Sequence, residues 1–303
     1  MATIYLSTYE DGNMLEDVLL EITNLTPLDT PFMSKIGKTR AHNTWHQWPT
    51  DTVVTRSFNA VAEGSAYNFT TLTAPVRAAN LTQRFQKTWL VSNTDRAVKG
   101  AGVNDMFMYQ KQKAMEALAT DMENALIAGT QATGARATAR QLMGMLQFST
   151  TNLTTSNLAL SETFFISQQQ LSWTNSGQTA DHVFCAAGIK KTITNFAANT
   201  TRYIKSSTEE LVNRINVYEG DFGTVEIVLS RDMPSNAATS ANAALALVKL
   251  DGYKMSVLDP VHHIPDSDVS PNISGKGGVI EGEITLEVRK EPATCVVKGM
   301  LDK

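Results

Sequence analysis

The first 50 residues combine one amphipathic segment with residues that end helices. The apolar residues of that segment recur at the spacing of one helical face: Leu15, Val18, Leu19 and Ile22. Two Thr-Pro pairs follow at 26–27 and 30–31, and the residue before a proline is disfavoured in a helix. The pattern predicts an extended arm with one helical patch, an element that needs a partner surface to lie on.

Between Thr44 and about Asn93 the chain becomes rich in threonine, valine and aromatic residues, and LTQRFQ at 81–86 alternates side chains as a strand does. The segment AVAEGSAYNFTTLTAP supplies Gly64, Asn68 and Pro75 as turn residues between two long strands. A two-stranded ribbon is marginally stable alone in water. It must therefore lie on another surface, which is either a neighbouring subunit or its own domain.

A long helix is predicted next. Asn104 can cap it, and it runs to about Ala128, where Gly129 ends it. Methionines recur at heptad spacing, at Met108, Met115 and Met122. Such a stripe is typical of core packing. A coiled-coil partner is the weaker alternative, because Lys111 occupies one of the core heptad positions.

From about residue 150 the pattern alternates between helices and strands. A helix begins after Ser161 with Phe165, Ile166 and Leu171 buried, and a second helix covers 189–197. Strands are predicted at 182–186, 215–218, 224–229, 244–250 and 253–258. The carboxyl end forms two further strands, broken at Pro292. The whole is a mixed unit of helices and strands.

The composition indicates a globular chain without strong phosphate binding. It has 303 residues, 42% of them apolar, and a formal charge of −4 with scattered lysine and arginine. Tight nucleic-acid binding needs clustered basic residues. No run approaches the roughly 20 apolar residues of a membrane span, and the amino terminus lacks a signal-peptide layout. Cys185 and Cys295 stand alone in apolar stretches and are predicted to be buried thiols of a cytosolic protein.

No residue pattern supports catalysis, a cofactor or a metal. The sequence has no GxSxG elbow, no GxxxxGK[ST] phosphate loop and no GxGxxG after a strand. His42 and His46 are four residues apart, but they fall in predicted strand, where that spacing does not converge on a metal. The triplet at 221–223 spells a kinase metal-binding motif without its companion motifs, so a turn between strands is predicted.

One polar cluster leaves an alternative open. His262 and His263 lie near Asp259, Asp266 and Asp268 in the sequence, and together they could bind a cation at a loop. Solvated polar and charged side chains of a loop account for them better. We therefore expect no metal there.

Three separated stretches of the chain carry recognisable motifs. The first, 14–53, contains a TPF-x-S-x-IG turn at 30–37 and a T-x-H-x-W-x-x-D strand at 44–51. The second is AEGSA at 62–66, and the third is VYEGDFGTVEIVLSRDM at 217–233. In this order they resemble the start, the tip of the extended loop and a strand pair of one family, the major head (major capsid) proteins of tailed bacteriophages.

The resemblance implies an α+β protein with the Hong Kong ninety-seven-like phage capsid fold. Its parts would be an N-terminal arm at 1–50, an extended β-hairpin loop at 51–90, a peripheral domain at 91–149 and 280–303 with a spine helix at 104–128, and an axial α/β domain at 150–279.

The resemblance also implies a function. The chain would be a non-enzymatic structural protein that self-assembles as hexamers and pentamers into the icosahedral or prolate head of a virion. The head would form in the host cytoplasm and enclose DNA without sequence-specific binding. Scaffold, portal and decoration proteins are candidate partners. Two alternatives stay open: an encapsulin-type nanocompartment shell, and a soluble hydrolase without a readable motif.

Two departures limit what the resemblance carries over. One family member joins subunits by a lysine–asparagine bond from the extended loop, but here no lysine lies between Lys38 and Lys87. Shell contacts are therefore expected to be non-covalent. The sequence also starts at the arm without an acidic helical scaffolding segment, which predicts either a separate scaffold or a processed form.

Aromatic side chains on the arm and loop are the predicted inter-subunit contacts, because aromatic anchors tend to dominate interfaces. The residues are Phe32 in the turn of the arm, Trp45 and Trp48 before the loop, and Glu63, Tyr67 and Phe69 near its tip. Each aromatic ring could equally be ordinary core. Deleting 63–73 is expected to block assembly and to leave a folded subunit.

Overall fold

The computed structural model describes residues 29–51, 58–67, 69, 71–98, 105–156, 158–198, 216–235, 243–264 and 274–301. The helix predicted at 15–22 lies outside them. The helices are α1 (Pro31–Lys35), α2 (Asn93–Ala97), α3 (Met106–Ala128), α4 (Met145–Phe148), α5 (Glu162–Ser176) and α6 (Ala187–Ala198). No helix among the described residues is long and apolar enough to cross a bilayer.

A four-stranded sheet forms one layer of the molecule. Its order is β1 (Gly37–Arg40), β10 (Tyr253–Ile264), β11 (Gly275–Val288) and β4 (Gln83–Ser92). β1 runs parallel to β10, and the other pairs are antiparallel. Along β4 the buried side chains Phe85, Trp89 and Val91 alternate with exposed ones, as expected when successive residues point to opposite faces of a sheet.

A six-stranded sheet forms the second layer. Its order is β5 (Leu153–Thr155), β12 (Cys295–Met300), β9 (Ala243–Val248), β6 (His182–Cys185), β8 (Gly223–Leu229) and β7 (Val217–Gly220). All six residues of β9 are buried. A strand that consists of a continuous apolar run is typical of a sheet covered on both faces.

The two faces of this second sheet enter different cores. Ala244, Ala246 and Val248 of β9 pack in a cluster with α3 and the four-stranded sheet. Leu245 and Leu247 of the same strand pack with residues of α5 and α6, including Phe165 and Ile193. The side-chain period of two thus divides one strand between two cores.

The long helix α3 matches the predicted spine helix, with two differences. Its N-cap is Asp105 instead of Asn104, and the Asp105 side chain accepts hydrogen bonds from the backbone N–H groups of Phe107 and Met108. Of the methionine stripe, only Met122 is buried. The prediction of core packing was therefore wrong for Met108 and Met115, which lie on an exposed side of the helix.

The predicted domain boundaries need correction where distant strands pair. β10 and residues 275–279 of β11 fall within the predicted axial segment 150–279, but they belong to the four-stranded sheet with β1 and β4. Of the predicted peripheral segment 280–303, residues 280–288 lie in the four-stranded sheet, whereas β12 pairs with β5 and β9 in the six-stranded sheet. Both errors concern pairings between segments far apart in sequence.

The predicted extended loop is shorter than 51–90. β2 (Trp45–Thr50) pairs antiparallel with β3 (Val76–Leu81), and together they form the base of the ribbon. β4 begins at Gln83 and runs along β11 for its whole length. The ribbon therefore ends at Leu81, because the following residues are held in the body by the β11 ladder.

Several smaller predictions are confirmed. Residues 221–222 form a turn between β7 and β8, with Gly220 opposite Gly223. Both cysteines are free and buried, and burial raises the pKa of the Cys295 thiol to about 12. Pro292 lies in a short 3₁₀ turn between β11 and β12.

Gly278 provides a test of the packing between β4 and β11. It lies opposite Trp89, and a Cβ atom at this position would fall 2.2 Å from the indole ring. We expect Gly278→Ala to lower the free energy of unfolding by about 1 to 3 kcal/mol, the usual cost of overpacking a core. Urea unfolding of the purified variant measures it.

Gly37→Ala is the matched control, because Gly37 also lies in a strand of this sheet and a Cβ there meets only Lys254 at an ordinary 3.8 Å. We expect a change within about 0.5 kcal/mol for that variant. Equal effects of the two substitutions would contradict the packing of Trp89 on Gly278.

Candidate subunit interface and its anchors

The loop between β2 and β3 carries a set of apolar side chains that the rest of the described chain does not cover. Tyr67 is 94% exposed and Phe69 93%. The other large apolar side chains exposed along 58–76 are Phe58, Val61, Leu72 and Val76. The one charged residue in 58–76 is Glu63. A group of exposed apolar side chains of this size is typical of a surface that meets another molecule.

The tip of the loop is a tight turn. The Ser65 N–H donates to the Ala62 carbonyl at 3.2 Å, and Gly64 has a φ of 79°. A turn with a positive φ at its third residue favours glycine, which has no Cβ to clash. Glu63 and the rings of Tyr67 and Phe69 therefore lie close to a defined reversal of the chain.

The base of the ribbon is fixed to the body by Trp48. Its indole Nε1 donates to the Val288 carbonyl at 2.9 Å, and its ring lies 5.8 Å from that of Phe148. The side chain is only 4% exposed. The expectation that Trp48 contacts a neighbouring subunit is therefore corrected, since its ring is already buried within the chain.

His46 reinforces the same anchor from two residues away, on the same face of β2. Its Nε2 lies 3.3 Å from a carboxylate oxygen of Glu287, and the Ser256 hydroxyl donates to the same oxygen at 3.0 Å. Burial raises the pKa of Glu287, but hydrogen bonds from Arg289, His46 and Ser256 outweigh that effect and leave the pKa below its usual value. The buried carboxylate thus holds its charge between strands.

Serine, histidine and glutamate here do not form a catalytic relay. Ser256 and Glu287 both approach the same ring nitrogen of His46, whereas a relay needs the base and the orienting carboxylate on opposite nitrogens. Ser256 is also fully buried, so a substrate could not reach its hydroxyl. The contacts position the ribbon.

Phe32 also lies inside the subunit. It has no exposed surface and makes edge-to-face contacts with Phe184 at 5.2 Å and Tyr253 at 5.8 Å. The predicted inter-subunit role of Phe32 is corrected for the same reason as that of Trp48. Of the predicted contacts, Glu63, Tyr67, Phe69 and the partly exposed Trp45 are accessible in the chain.

Glu123 holds the arm beside Phe32, and this contact was not predicted from the sequence. Its two carboxylate oxygens accept from the backbone N–H groups of Phe32 and Met33, each at 2.7 Å. These donors are at the first turn of α1, which has no earlier carbonyl for them. The pKa of Glu123 is raised to about 7, chiefly by burial; the hydrogen bonds from the Met33 and Phe32 N–H groups oppose the rise, and the nearby Asp232 and Asp29 add to it.

The polar cluster near His262 shares Asp259 and His262 with the predicted set and adds Glu281, which was not predicted. One ligand-type atom each of Asp259, His262 and Glu281 lie within 4.8 Å of one another. Asp266 and Asp268 lie outside the described residues. The guanidinium of Arg84 already holds the Glu281 carboxylate, and Asp259 and His262 are about half exposed. This arrangement is an ordinary network of surface charges.

Two sheets, a long helix across them and a projecting ribbon define the Hong Kong ninety-seven-like α+β capsid fold. The chain is similar to a Gordonia phage Cozz protein structure over 100% of its own length and 98% of the other, at 13% identity and a TM-score of 0.66. It is similar to the capsid of a native GTA particle over 97% and 98%, at 12% identity and a TM-score of 0.69. At these identities the likeness concerns the fold.

The chain belongs to the SU10 major capsid protein family, whose model matches residues 3–301. It is also similar to the major capsid protein of Escherichia phage Phieco32, 31% identical over 128 residues. That alignment covers 42% of this chain and 36% of the relative, so the chain spans about a third of that relative's length there. The prediction of a tailed-phage major capsid family is confirmed, and the encapsulin alternative gains no support.

The Glu123 anchor predicts a pH dependence of stability. Because its pKa is about 7 in the folded chain against 4.5 ordinarily, the carboxyl binds a proton more tightly when folded. Its unfavourable contribution is absent below about pH 4.5 and complete above about pH 7. The free energy of unfolding should therefore fall across this window relative to that of Glu123→Gln, by about 1 to 3 kcal/mol.

Denaturant unfolding of both proteins across that pH range measures the difference. The glutamine side chain of the variant does not titrate and keeps one acceptor oxygen, so the variant is the reference for every other ionisable group. If the difference in the free energy of unfolding between the two proteins stays constant from about pH 4.5 to pH 7, Glu123 keeps an ordinary pKa.

Proposed function

We propose that this protein is the shell subunit of a tailed-phage head and that it assembles as hexamers and pentamers around the packaged DNA. The observation that carries the proposal is the exposed apolar set on the 58–76 loop, which is attached to the body by a buried, hydrogen-bonded base. The ribbon is held firmly at one end and has unburied aromatic rings at the other. A second copy of the chain is the surface that we expect it to meet.

The contact is expected to be head to tail. The loop projects from one part of the subunit, so the surface that receives it on the next copy is a different surface. Heterologous contacts of this kind generate closed rings when the rotation between copies closes. Six-membered and five-membered rings from one chain are then small variations of the same contact.

Four of the predicted contact residues stay in the proposal. Tyr67 and Phe69 supply aromatic anchors near the tip, Glu63 supplies the charge, and Trp45 lies at the base with 43% of its surface exposed. Interfaces between proteins are enriched in tyrosine, tryptophan and phenylalanine at their centres. Phe32 and Trp48 support the interface indirectly, because they hold the arm and the ribbon in place.

The remaining parts of the proposal rest on composition and on the family. With a net charge of −4, the shell would enclose DNA without gripping its phosphates, and no sequence-specific contact is proposed. We propose that the protein is not an enzyme, that it assembles in the host cytoplasm, and that scaffold, portal and decoration proteins join it there.

Replacing Tyr67 and Phe69 together by serine tests the loop. Each aromatic side chain that loses its burial costs about 1.5 to 3 kcal/mol, so the double variant should raise the concentration needed for assembly by well over about tenfold. Electron microscopy and sedimentation measure the shells. Far-ultraviolet circular dichroism should be unchanged, because both side chains lie free of the body.

The control is Thr71→Ser with Thr73→Ser, two exposed residues of the same loop. It should assemble like the original protein. Deleting 63–73 should abolish shells and leave a folded subunit. Normal shells from the deletion variant would contradict the role of the loop.

Non-covalent contacts make a separate prediction. Since no lysine lies between Lys38 and Lys87, the loop offers no amine for an isopeptide bond. Assembled particles heated in sodium dodecyl sulfate should run as single chains of 33.1 kDa. A ladder of covalent multimers that survives reductant would show a crosslink from another part of the chain.

A further inference from the structure

The amino-terminal half of α3 has an apolar side that the described residues leave uncovered. Met108 and Met115 are 56% and 50% exposed and lie seven residues apart, on one side of the helix. From Met108 to Ala117 no side chain is buried, whereas Leu118, Met122 and Leu126 farther along are. We call the exposed side of Met108 and Met115 the methionine face. Methionine adapts its shape to a partner more easily than branched side chains do.

The amino-terminal segment has the complementary pattern. Its apolar residues Leu15, Val18, Leu19 and Ile22 fall on one helical face. Residues 1–28 contain no lysine, arginine or histidine, and their acidic residues are Glu10, Asp11, Glu16, Asp17 and Glu21. Lys111, three residues after Met108 and four before Met115, borders the methionine face. Opposite charges therefore border two apolar stripes.

The described part of the arm places this segment within reach. The first turn of α1 is bonded to the Glu123 carboxylate, so the chain enters the described structure beside Glu123. Met115 precedes Glu123 by eight residues, about 12 Å along the helix. The six residues between Ile22 and Asp29 can span about 20 Å when extended. The linker is long enough to return to the methionine face.

We propose that residues 15–22 dock as an amphipathic helix on the methionine face of α3 in the same chain. The apolar stripe would cover Met108 and Met115, and acidic residues of the segment would lie near Lys111. An isolated helix of this length is unstable in water, so its order would depend on this contact. The long helix of the body would in turn gain the cover that its first turns lack.

Paired cysteines test the contact. Val18→Cys with Met115→Cys, treated with a short bis-maleimide, should give one intramolecular product that migrates faster than the uncrosslinked chain. The native cysteines are both buried, so they should not compete for the reagent. The matched control is Val18→Cys with Lys113→Cys, an exposed position on the other side of the same turn.

The Met115 pair should crosslink severalfold more than the Lys113 pair, and the yield should fall with added salt and with Lys111→Glu. Equal yields from the two pairs would overturn the proposal, since a segment that is merely tethered nearby meets both positions. Crosslinks that join two chains into dimers and larger products would also overturn it, because they assign the segment to a neighbouring copy. Unchanged circular dichroism of each variant confirms that the body is folded.

Discussion

The pairing of two cores through one sheet is the constraint on which the rest of this subunit depends. Successive residues of β9 face opposite sides, so Ala244 and Ala246 complete the core under α3 while Leu245 and Leu247 complete the core under α5 and α6. β6 and β12 repeat the division, with Phe184 and Val296 on one side and Cys185 and Val297 on the other. Neither core closes without the sheet, and the two layers are therefore one body.

The arm and the ribbon are attached to that body by a few polar contacts aimed at backbone groups. Glu123 accepts from the first turn of α1, and Trp48 donates to the carbonyl of Val288. Buried polar atoms that lose a partner are costly, so each contact resists small displacements of the element that it holds. Phe32 then places an aromatic ring between Phe184 and Tyr253, which joins the arm to both sheets.

Much of the fold follows from local patterns, and the part that does not concerns pairing at a distance. The helix predicted to begin after Ser161 and the strand predicted at 182–186 agree with the start of α5 and with β6, because helical and strand periods depend on residues that are neighbours in sequence. Local sequence patterns do not determine that β12 pairs with β9 or that β10 pairs with β1. The domain boundaries failed at those strands for that reason.

Prediction from the sequence was limited in the same way for single residues of the candidate interface. Trp45 and Trp48 are three residues apart in a strand, so they must face opposite sides of β2. The sequence establishes that difference but does not state which side meets the body. Glu123 was missed because a glutamate in a helix is usually solvated. Its position beside Met122 and Leu126, on the buried side of α3, is the signal that could have found it.

In the proposed assembly, a ribbon with a fixed base and an uncovered tip is stabilised partly by its own subunit and partly by the neighbouring copy that it contacts. The base is already ordered by Trp48 and His46, so docking the tip does not have to order the attachment as well. Burial of Tyr67 and Phe69 would contribute about 3 to 6 kcal/mol before the cost of ordering the loop. In a closed ring every subunit gives one such contact and receives another. Weak single contacts can thus hold a shell together while an isolated pair of subunits still dissociates, which lets wrongly joined copies separate before the ring closes.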